Sequence, residues 1–285
     1  MSNTNRPTIG IGMIGYSFMG MAHSLAWRNA RSFFDPALTP RLVALGGRNA
    51  QAAGEMARRF EWDSVETDWR ALIAREDVDL VDICTPGDTH AEIAIAALAA
   101  GKHVLCEKPL ANSVAEAKVM VDAAEKARHQ GIRSMVGFTY RRVPAIALAR
   151  RLVRAGRIGS IRHVRAQYLQ DWISDPEAPL SWRLQKERAG SGALGDIGAH
   201  IVDLTHYITG EQITGVSALL DTFVKERPLP GPALEGRGEV TVDDAAVFIG
   251  RLAGGALATF EATRVAAGRK NAIRIELNGS EGSIA

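Results

Sequence analysis

The segment from Thr8 to His23, TIGIGMIGYSFMGMAH, joins an apolar run to a helical pattern through a glycine. A G-x-G-x-x-G match at Gly10, Gly12 and Gly15 falls inside the apolar run, where the first two glycines would lie within a strand. We therefore interpret that match as coincidental. A strand that passes through a tight turn directly into a helix is the feature around which we place the rest of the chain.

The register that fits strand, turn and helix is Gly15-Tyr16-Ser17-Phe18-Met19-Gly20. Gly15 makes the turn, Ser17 takes the place of a second glycine, and Gly20 lets the helix pack close to the strand. The helix N-terminus offers amide groups and a positive dipole end to phosphates. This pattern predicts a dinucleotide site, although a tight turn without a ligand has the same pattern. The residues predicted to bind the cofactor here are Gly15, Ser17, Phe18, Met19 and Gly20.

Apolar runs typical of strands alternate with helical patterns through the first half of the chain. The predicted strands are 8–14, 41–46, 79–84, 102–106 and 132–138. Regular alternation predicts a parallel sheet with right-handed crossovers and helices on both faces. We expect residues 1–139 to form a Rossmann domain with a doubly wound parallel sheet. Ser17, Arg48, Thr85 and Lys108 all follow predicted strands, and ligands bind at the carboxyl ends of such strands.

The second predicted strand ends in Gly46-Gly47-Arg48-Asn49, without the acid that would accept hydrogen bonds from an adenosine ribose. Gly47 would leave room for a 2′-phosphate, and the Arg48 guanidinium suits phosphate geometry. The sequence therefore favours NADP over NAD as cofactor. The alternative is that Arg48 lies over the adenine and both cofactors are accepted.

The pattern changes after residue 140, where strands outnumber helices. The predicted helices are 144–155 and 194–208, and the predicted strands are 161–172, 213–224, 241–252, 256–265 and 271–278. The last three strands are predicted to form an antiparallel meander. We expect residues 140–285 to form an α+β domain with an open, mainly antiparallel sheet. The last residues, 279–285, resemble a turn entering another strand, so either the domain is compact here or the chain is cut short.

Composition excludes several classes of partner. The 285 residues carry 34 basic and 32 acidic side chains, a net charge of +2, which gives no reason to expect nucleic acid or an acidic membrane. No apolar run approaches the ~20 residues of a membrane span, and the first seven residues do not form a leader. Cys84 and Cys106 have no metal spacing, so we expect no metal site and a reducing, cytoplasmic compartment.

Several motifs together resemble the glucose–fructose oxidoreductase and inositol dehydrogenase (Gfo/Idh/MocA) family. The matching segments are 15–23, Cys84-Thr85-Pro86 with His90, 101–109, 137–142 with Pro144, Trp182-Arg183, and 192–200 with Asp203. The Glu107-Lys108-Pro109 motif and the Asp196-x-Gly198-x-His200 motif are specific in combination. Two departures are Ser17 for glycine and Gly47 where NAD-preferring members tend to have an acid.

The resemblance implies an NAD(P)-dependent oxidoreductase that acts on CH–OH groups. It also implies that Lys108, Asp196 and His200 form the catalytic set, and that the Lys108–Pro109 bond is cis. Besides the glycine turn and Arg48 of the second strand exit, the expected cofactor residues are Thr85, Pro86, His90, Glu107 and Lys108. The resemblance also implies further strands after Ala285. The expected substrate-binding residues are Lys108, Tyr140, Arg141, Trp182, Asp196 and His200.

The residues themselves support this chemistry, because hydride transfer from an alcohol needs a base and groups that stabilise a developing alkoxide. Asp196 and His200 are spaced i, i+4, so on one helix they would lie one turn apart. An imidazole with a reference pKa near ~6.5 suits general base work at neutral pH. Lys108 follows a strand and would hydrogen-bond the reacting oxygen. The alternatives are that Asp196 only caps the helix, that His200 is packed in the core, and that Lys108 is an exposed loop residue.

Three functions fit these residues. The leading one is a dehydrogenase that interconverts a secondary hydroxyl and a keto group of a sugar, cyclitol or related polyol. The second is a glycosidase with no net redox change that oxidises its sugar transiently. The third is a regulator that binds nucleotide or sugar without turnover. An open antiparallel sheet also predicts a homodimer or homotetramer formed through that sheet.

Overall fold

The computed structural model describes residues 7–231 and 236–285, so the N-terminal residues on which the expected absence of a leader rests lie outside it. The chain folds as two units, Met1–Gly137 and Phe138–Ala285.

The first unit alternates strands and helices as the sequence predicts. Its strands are β1 (Thr8–Ile14), β2 (Thr39–Gly46), β3 (Ser64–Glu66), β4 (Leu80–Ile83), β5 (His103–Cys106) and β6 (Ser134–Val136). Its helices are α1 (Phe18–Phe33), α2 (Ala50–Phe60), α3 (Trp69–Ala74), α4 (His90–Ala99) and α5 (Val114–Arg128). The strands form one parallel sheet in the order β3-β2-β1-β4-β5-β6, the order of a doubly wound dinucleotide-binding fold.

Apolar side chains on the two faces of this sheet form two separate cores. One core contains Leu72, Ile93 and Val104, and the other contains Ile11, Leu45 and Trp62. Ser113 and Glu116 have the sequence spacing of a capping box, which predicts a helix start there. The structure confirms this cap of α5, since the Ser113 hydroxyl accepts a hydrogen bond from the Glu116 amide. The prediction omitted β3, because its three residues give too short a pattern to detect.

The second unit contains a six-stranded sheet, a two-stranded ribbon and three helices among its described residues. The strands are β7 (Ile161–Leu169), β8 (Ile213–Asp221), β9 (Glu226–Pro228), β10 (Arg237–Glu239), β11 (Ala245–Leu252), β12 (Leu257–Thr263), β13 (Ala272–Gly279) and β14 (Ser283–Ile284). The helices are α6 (Pro144–Arg154), α7 (Lys186–Ala189) and α8 (Ala199–Thr209). The large sheet has the order β14-β13-β7-β12-β11-β8.

The predicted open, mainly antiparallel sheet is confirmed, but the predicted three-strand meander is wrong. Strands β11 and β12 form an antiparallel hairpin, whereas β13 pairs with β7. Strand β7 lies between β12 and β13 and runs parallel to β12. The segment after Thr263 is a loop rather than a tight turn, so it can carry the chain past β7.

Helix α8 packs against the inner face of this sheet, where Ile201, Phe248 and Phe260 are buried. On the outer face, Val247 and Ile249 are more than half exposed to solvent, as judged from the described residues. None of the helices in the described ranges is long and apolar enough to cross a lipid bilayer.

Candidate active site

The turn at Gly15 has the geometry that the register Gly15 to Gly20 requires. Gly15 has a φ of 107°, a conformation that favours glycine, and its amide donates to Gly46 O at 2.9 Å. A Cβ atom on Gly20 would lie 2.1 Å from Gly15 O. Helix α1 can therefore approach the turn only because residue 20 has no side chain.

The other two glycines of the sequence match lie within β1, as predicted. A Cβ atom on Gly10 would lie 1.9 Å from Asp77 O, and one on Gly12 would lie 2.6 Å from Leu72 Cδ2. These glycines let neighbouring segments pack against the strand, so their role is structural.

The N-terminus of α1 suits a dinucleotide pyrophosphate. Ser17 is the N-cap residue, and both Ser17 and Phe18 are exposed, while Met19 is half-buried. The Ser17 side chain makes no capping hydrogen bond to the helix among the described residues. The first-turn amides of a 16-residue helix, with its positive dipole end, are thus presented beside the Gly15 turn.

The structure shows a different reason from the predicted one for a glycine at position 47. A Cβ atom on Gly47 would lie 2.3 Å from both Cδ1 and Cε1 of Tyr16. The glycine therefore accommodates the ring of Tyr16, which takes the room that we assigned to a 2′-phosphate. Arg48 is exposed at the same strand exit, directly before the α2 N-cap residue Asn49.

The loops after β4 and β5 are held together by a buried histidine. The ring nitrogens of His90 lie 2.9 Å from Thr85 O and 2.9 Å from Pro109 O. The Lys108–Pro109 peptide bond is cis, as the resemblance implied. Since His90 is 1% exposed, its side chain fixes the two loops that carry Thr85, Pro86 and Lys108.

Glu107, also predicted at the cofactor site, is buried in a charged cluster beneath the sheet edge. Its Oε1 lies 3.1 Å from His23 Nε2, and its Oε2 accepts from the Lys108 amide at 3.2 Å. His23 Nδ1 lies 2.9 Å from Asp82 Oδ2, which also accepts from the Trp27 indole at 2.7 Å. Burial by itself lowers the pKa of His23, but the hydrogen bonds and charges of Asp82 and Glu107 outweigh it and raise the pKa to about 10.

This raised pKa predicts a pH-dependent stability. The folded state keeps the His23 proton up to about pH 10, whereas the unfolded chain loses it near pH 6.5. The stabilisation is therefore complete below pH 6.5 and is lost as the pH rises towards 10, by up to about 1.4 kcal/mol per pH unit. Urea unfolding at pH 6.5, 8 and 9.5 measures it, with His23→Gln as the comparison. A wild-type minus variant difference that does not change with pH would contradict the assignment.

In the second unit, Asp196 lies in a π-helical turn, Leu194–Gly198, that precedes α8. The predicted continuous α-helix over 194–208 is therefore wrong at its start, and the i, i+4 spacing does not place Asp196 directly below His200. Asp243 satisfies the amides at this end: it accepts from Gly192 N at 2.8 Å and from Leu194 N at 2.7 Å. These contacts assign the capping role to Asp243, so capping does not explain the presence of Asp196.

Asp196 faces a buried arginine. Arg264 is fully buried, and its Nη1 lies 3.6 Å from Asp196 Oδ2. Its Nη2 donates to Asp243 O at 3.0 Å, and its guanidinium lies 5.4 Å from the Trp172 ring. Burial lowers the pKa of Arg264, while Asp196, Asp243 and Asp244 oppose that change. The arginine thus fixes a positive charge beside the predicted catalytic aspartate.

His200 is enclosed by aromatic rings. Its ring centroid lies 4.9 Å from that of Tyr140, 5.8 Å from that of Tyr168 and 6.0 Å from that of Phe138. The two tyrosine hydroxyls lie 2.7 Å apart, and the Tyr168 hydroxyl donates to Asn271 Oδ1 at 2.7 Å. Burial, together with the hydrogen bond to Tyr140, raises the pKa of Tyr168, so its hydroxyl stays protonated at neutral pH.

The other two predicted substrate residues have partners of their own. Arg141 pairs with Asp203 through two hydrogen bonds, one of them from Nε to Oδ2 at 2.8 Å, which ties the segment after Phe138 to α8. Trp182 is half-buried, and the Arg183 guanidinium lies 4.5 Å from its ring.

The sequence prediction missed three features of these sites. Arg264 lies near the end of the predicted strand 256–265, where the sequence pattern does not indicate that its side chain is buried. Tyr168 was not among the predicted substrate-binding residues, although its inward position on β7 places it beside His200. The His23, Asp82 and Glu107 cluster combines residues from α1, β4 and the end of β5, which only the folded sheet brings together.

Two family models match the chain. One, for an oxidoreductase family with an NAD-binding Rossmann fold, matches residues 9–138, and the other, for the GFO/IDH/MocA C-terminal domain, matches residues 146–285. The chain belongs to the Gfo/Idh/MocA family, which confirms the resemblance of the motifs. It is accordingly an NAD(P)-dependent dehydrogenase.

Characterised relatives extend over almost the whole chain. A levoglucosan dehydrogenase of Pseudarthrobacter phenanthrenivorans is 46% identical over an alignment that covers 97% of this chain and 73% of the relative. A scyllo-inositol 2-dehydrogenase (NAD⁺) of Bacillus subtilis is 30% identical and covers 97% of this chain, with 71% of the relative matched.

Solved structures are also similar. An oxidoreductase domain protein from Kribbella flavida is 69% identical and superposes with a TM-score of 0.94 over 97% of this chain and 72% of that protein. A levoglucosan dehydrogenase in complex with NADH is 47% identical, with a TM-score of 0.92 over 97% of this chain and 72% of that one.

Proposed function

We propose that this protein is an NAD(H)-dependent dehydrogenase that interconverts a secondary hydroxyl and a keto group of a cyclic sugar, cyclitol or related polyol. The observation that carries the proposal is the surroundings of His200, which combine a possible base with the aromatic rings and hydroxyls of Tyr140 and Tyr168. Aromatic faces suit the apolar face of a sugar ring, while hydroxyl and amide groups suit its polar edge.

In this proposal each catalytic residue has one role. When bound, the nicotinamide supplies the acceptor for hydride. His200 takes the proton of the substrate hydroxyl, and Lys108 donates a hydrogen bond to the same oxygen as negative charge develops there. Asp196 orients the substrate and the His200 base. The Arg264 guanidinium lies 3.6 Å from its carboxylate. A regulator without turnover has no need of such a set of a base, a hydrogen-bond donor and an orienting carboxylate.

The proposed coenzyme is NAD(H) rather than the NADP(H) that the sequence favoured. Two observations support this choice: the Tyr16 ring packs against Gly47, and the related levoglucosan dehydrogenase was solved with NADH. Arg48 is the one feature of this strand exit that still suits a 2′-phosphate. A titration in which NADPH displaces NADH at equal concentration would reverse the choice.

The test of the proposed function is the near-ultraviolet absorbance of reduced nicotinamide after addition of NAD⁺ or NADP⁺ and a panel of hydroxyl compounds. The panel begins with levoglucosan and scyllo-inositol, the substrates that the names of two relatives give. It then extends to free sugars and acyclic polyols. We expect an increase with at least one cyclic member. No increase with any compound, in protein shown to bind the dinucleotide, would favour the redox-neutral glycosidase or the regulator.

We also propose that the protein acts in the cytoplasm. Both cysteines are free thiols, and burial raises the pKa of Cys84 well above its usual value and that of Cys106 to about 12. Such thiols serve as small apolar core residues in a reducing compartment.

We propose a homodimer or homotetramer formed through the outer face of the large sheet. Val247 is 53% exposed on that face, and it pairs across the strands with Leu219, which is 82% exposed. Val247→Lys should therefore dissociate the oligomer by placing a charge in the interface. Light scattering after size exclusion measures the mass. Val119→Lys on α5, where the valine is 54% exposed, is the matched control and should leave the mass unchanged. A monomeric wild type would contradict the proposal.

A further inference from the structure

The residue before the proposed catalytic lysine is anchored more firmly than a loop residue needs to be. The Glu107 side chain is 6% exposed, and both of its carboxylate oxygens have partners, His23 Nε2 and the Lys108 amide. The Glu107 amide donates to Ile83 O at 2.9 Å. Gly137 lies against the carboxylate, since a Cβ atom there would be 2.8 Å from Oε1. These contacts fix the peptide group from which the Lys108 side chain begins.

His23 connects this anchor to the centre of the sheet. Its two ring nitrogens face two different carboxylates, Asp82 at 2.9 Å and Glu107 at 3.1 Å, and its side chain is 11% exposed. Asp82 is fully buried on β4 and accepts from the Trp27 indole as well. Both ring nitrogens must carry protons to donate in both directions, so the histidine supplies a positive charge between two buried acids.

We propose that His23 is a positioning residue for hydride transfer, which acts by holding Glu107 and thereby the backbone of Lys108. The inference rests on the proposed function, in which Lys108 donates to the reacting oxygen. His90 holds the other side of the lysine, because its ring lies 2.9 Å from Pro109 O. Lys108 is thus placed between two anchored residues, one tied to α1 through His23 and the other tied to the first turn of α4.

A protonated His23 ring between the two carboxylates explains the cluster better than a bound metal ion. A ring nitrogen of His23, an Asp82 oxygen and Cys84 Sγ lie within 4.8 Å of one another. However, the nitrogen and oxygen are 2.9 Å apart, whereas two ligands of one tetrahedral zinc ion stand about 3.3 Å apart. Cys84 faces Asp82, and burial raises the pKa of its thiol, which opposes the thiolate that a metal needs. Cys106, at the end of β5, is another titratable group near these acids.

The test is the hydride-transfer rate of His23→Gln in the full chain, with a substrate from the panel. Glutamine keeps one donor but cannot bridge both acids, so Lys108 loses one anchor. We expect kcat to fall about 10- to 100-fold, because small misplacements of a catalytic group have effects of that size. The NAD⁺ dissociation constant should change less than about threefold, since the glycine turn is not altered.

Trp27→Phe is the matched control, because it removes another hydrogen bond to Asp82 while leaving the contact between His23 and Glu107 intact. We expect a lower melting temperature in this variant with kcat within about twofold of wild type. An equal loss of kcat in Trp27→Phe and His23→Gln would mean that the cluster serves stability alone, and would overturn the proposal.

A double-mutant cycle separates positioning from general damage. In a Lys108→Ala background, His23→Gln should change the residual rate less than about twofold, because the group that it positions is absent. If His23→Gln lowered the rate by the same factor in the Lys108→Ala background as in the wild type, the proposal would be overturned. Full activity in His23→Gln, together with an inactive Lys108→Ala, would overturn the positioning role alone. Unchanged activity in Lys108→Ala would instead contradict the proposed function.

Discussion

Lys108→Met is expected to lower kcat by at least about 10²- to 10³-fold and to leave NAD⁺ affinity within a few-fold of wild type. Methionine has nearly the length of lysine, so the variant removes the charge and the donor but fills the same space. Loss of one donor that stabilises a developing oxyanion has effects of this size. The measurement is the stopped-flow rate of nicotinamide reduction, with coenzyme binding followed separately by titration.

Lys118→Met provides the control for this experiment. Lys118 lies on α5, in the same unit, and the same chemical change there should leave both kcat and coenzyme affinity unchanged. If Lys108→Met turned over at the wild-type rate, Lys108 would have no part in the chemistry. If it failed to bind NAD⁺, its role would belong to coenzyme binding rather than to catalysis.

Gly20→Ala is expected to destabilise the protein by about 3 kcal/mol and to lower NAD⁺ affinity by at least about 100-fold. The added methyl group would lie 2.1 Å from Gly15 O, a backbone atom that cannot rotate away. Helix α1 must then shift from the turn, at a cost typical of overpacking, and its N-terminal amides move with it. Urea unfolding and coenzyme titration measure the two effects.

Gly54→Ala is the matched change in a neighbouring helix. The nearest atom to a Cβ at Gly54 is Arg58 Nη1 at 3.6 Å, an ordinary contact with a flexible side chain. Alanine should therefore stabilise α2 by up to about 1 kcal/mol through its higher helix propensity. A Gly20→Ala protein as stable as wild type would show that α1 tolerates displacement from the turn.

Features that depend on neighbouring residues were accessible from the sequence. The glycine turn, the cap of α5 and the alternation of strands and helices each arise within a few residues, so their patterns carry the information. The correct choice between the two glycine registers followed from asking which glycines lie at the end of the strand. The motifs around Lys108 and His200 identified the family for a similar reason.

Features that depend on distant contacts were not accessible. The role of Gly47 follows from Tyr16, a residue far away in sequence that packs on it only after β1 and β2 pair. The cap of the π-helical turn at Asp196 comes from Asp243, a residue distant in sequence whose carboxylate accepts hydrogen bonds from the Gly192 and Leu194 amides. The buried position of Arg264 depends on contacts with Asp196 and Asp243, which no local pattern records.

The central position of β7 affects how the chain can acquire its structure during synthesis. Both partners of β7, strands β12 and β13, come much later, and the pair Arg165 and Glu276 across β7 and β13 is separated by 111 positions. Contacts of such separation make folding slow, because a long loop must close before they form. The first unit, by contrast, is complete at Gly137. On the ribosome we therefore expect the dinucleotide-binding unit to fold early. Strand β7 should remain unpaired until most of the second unit has been translated.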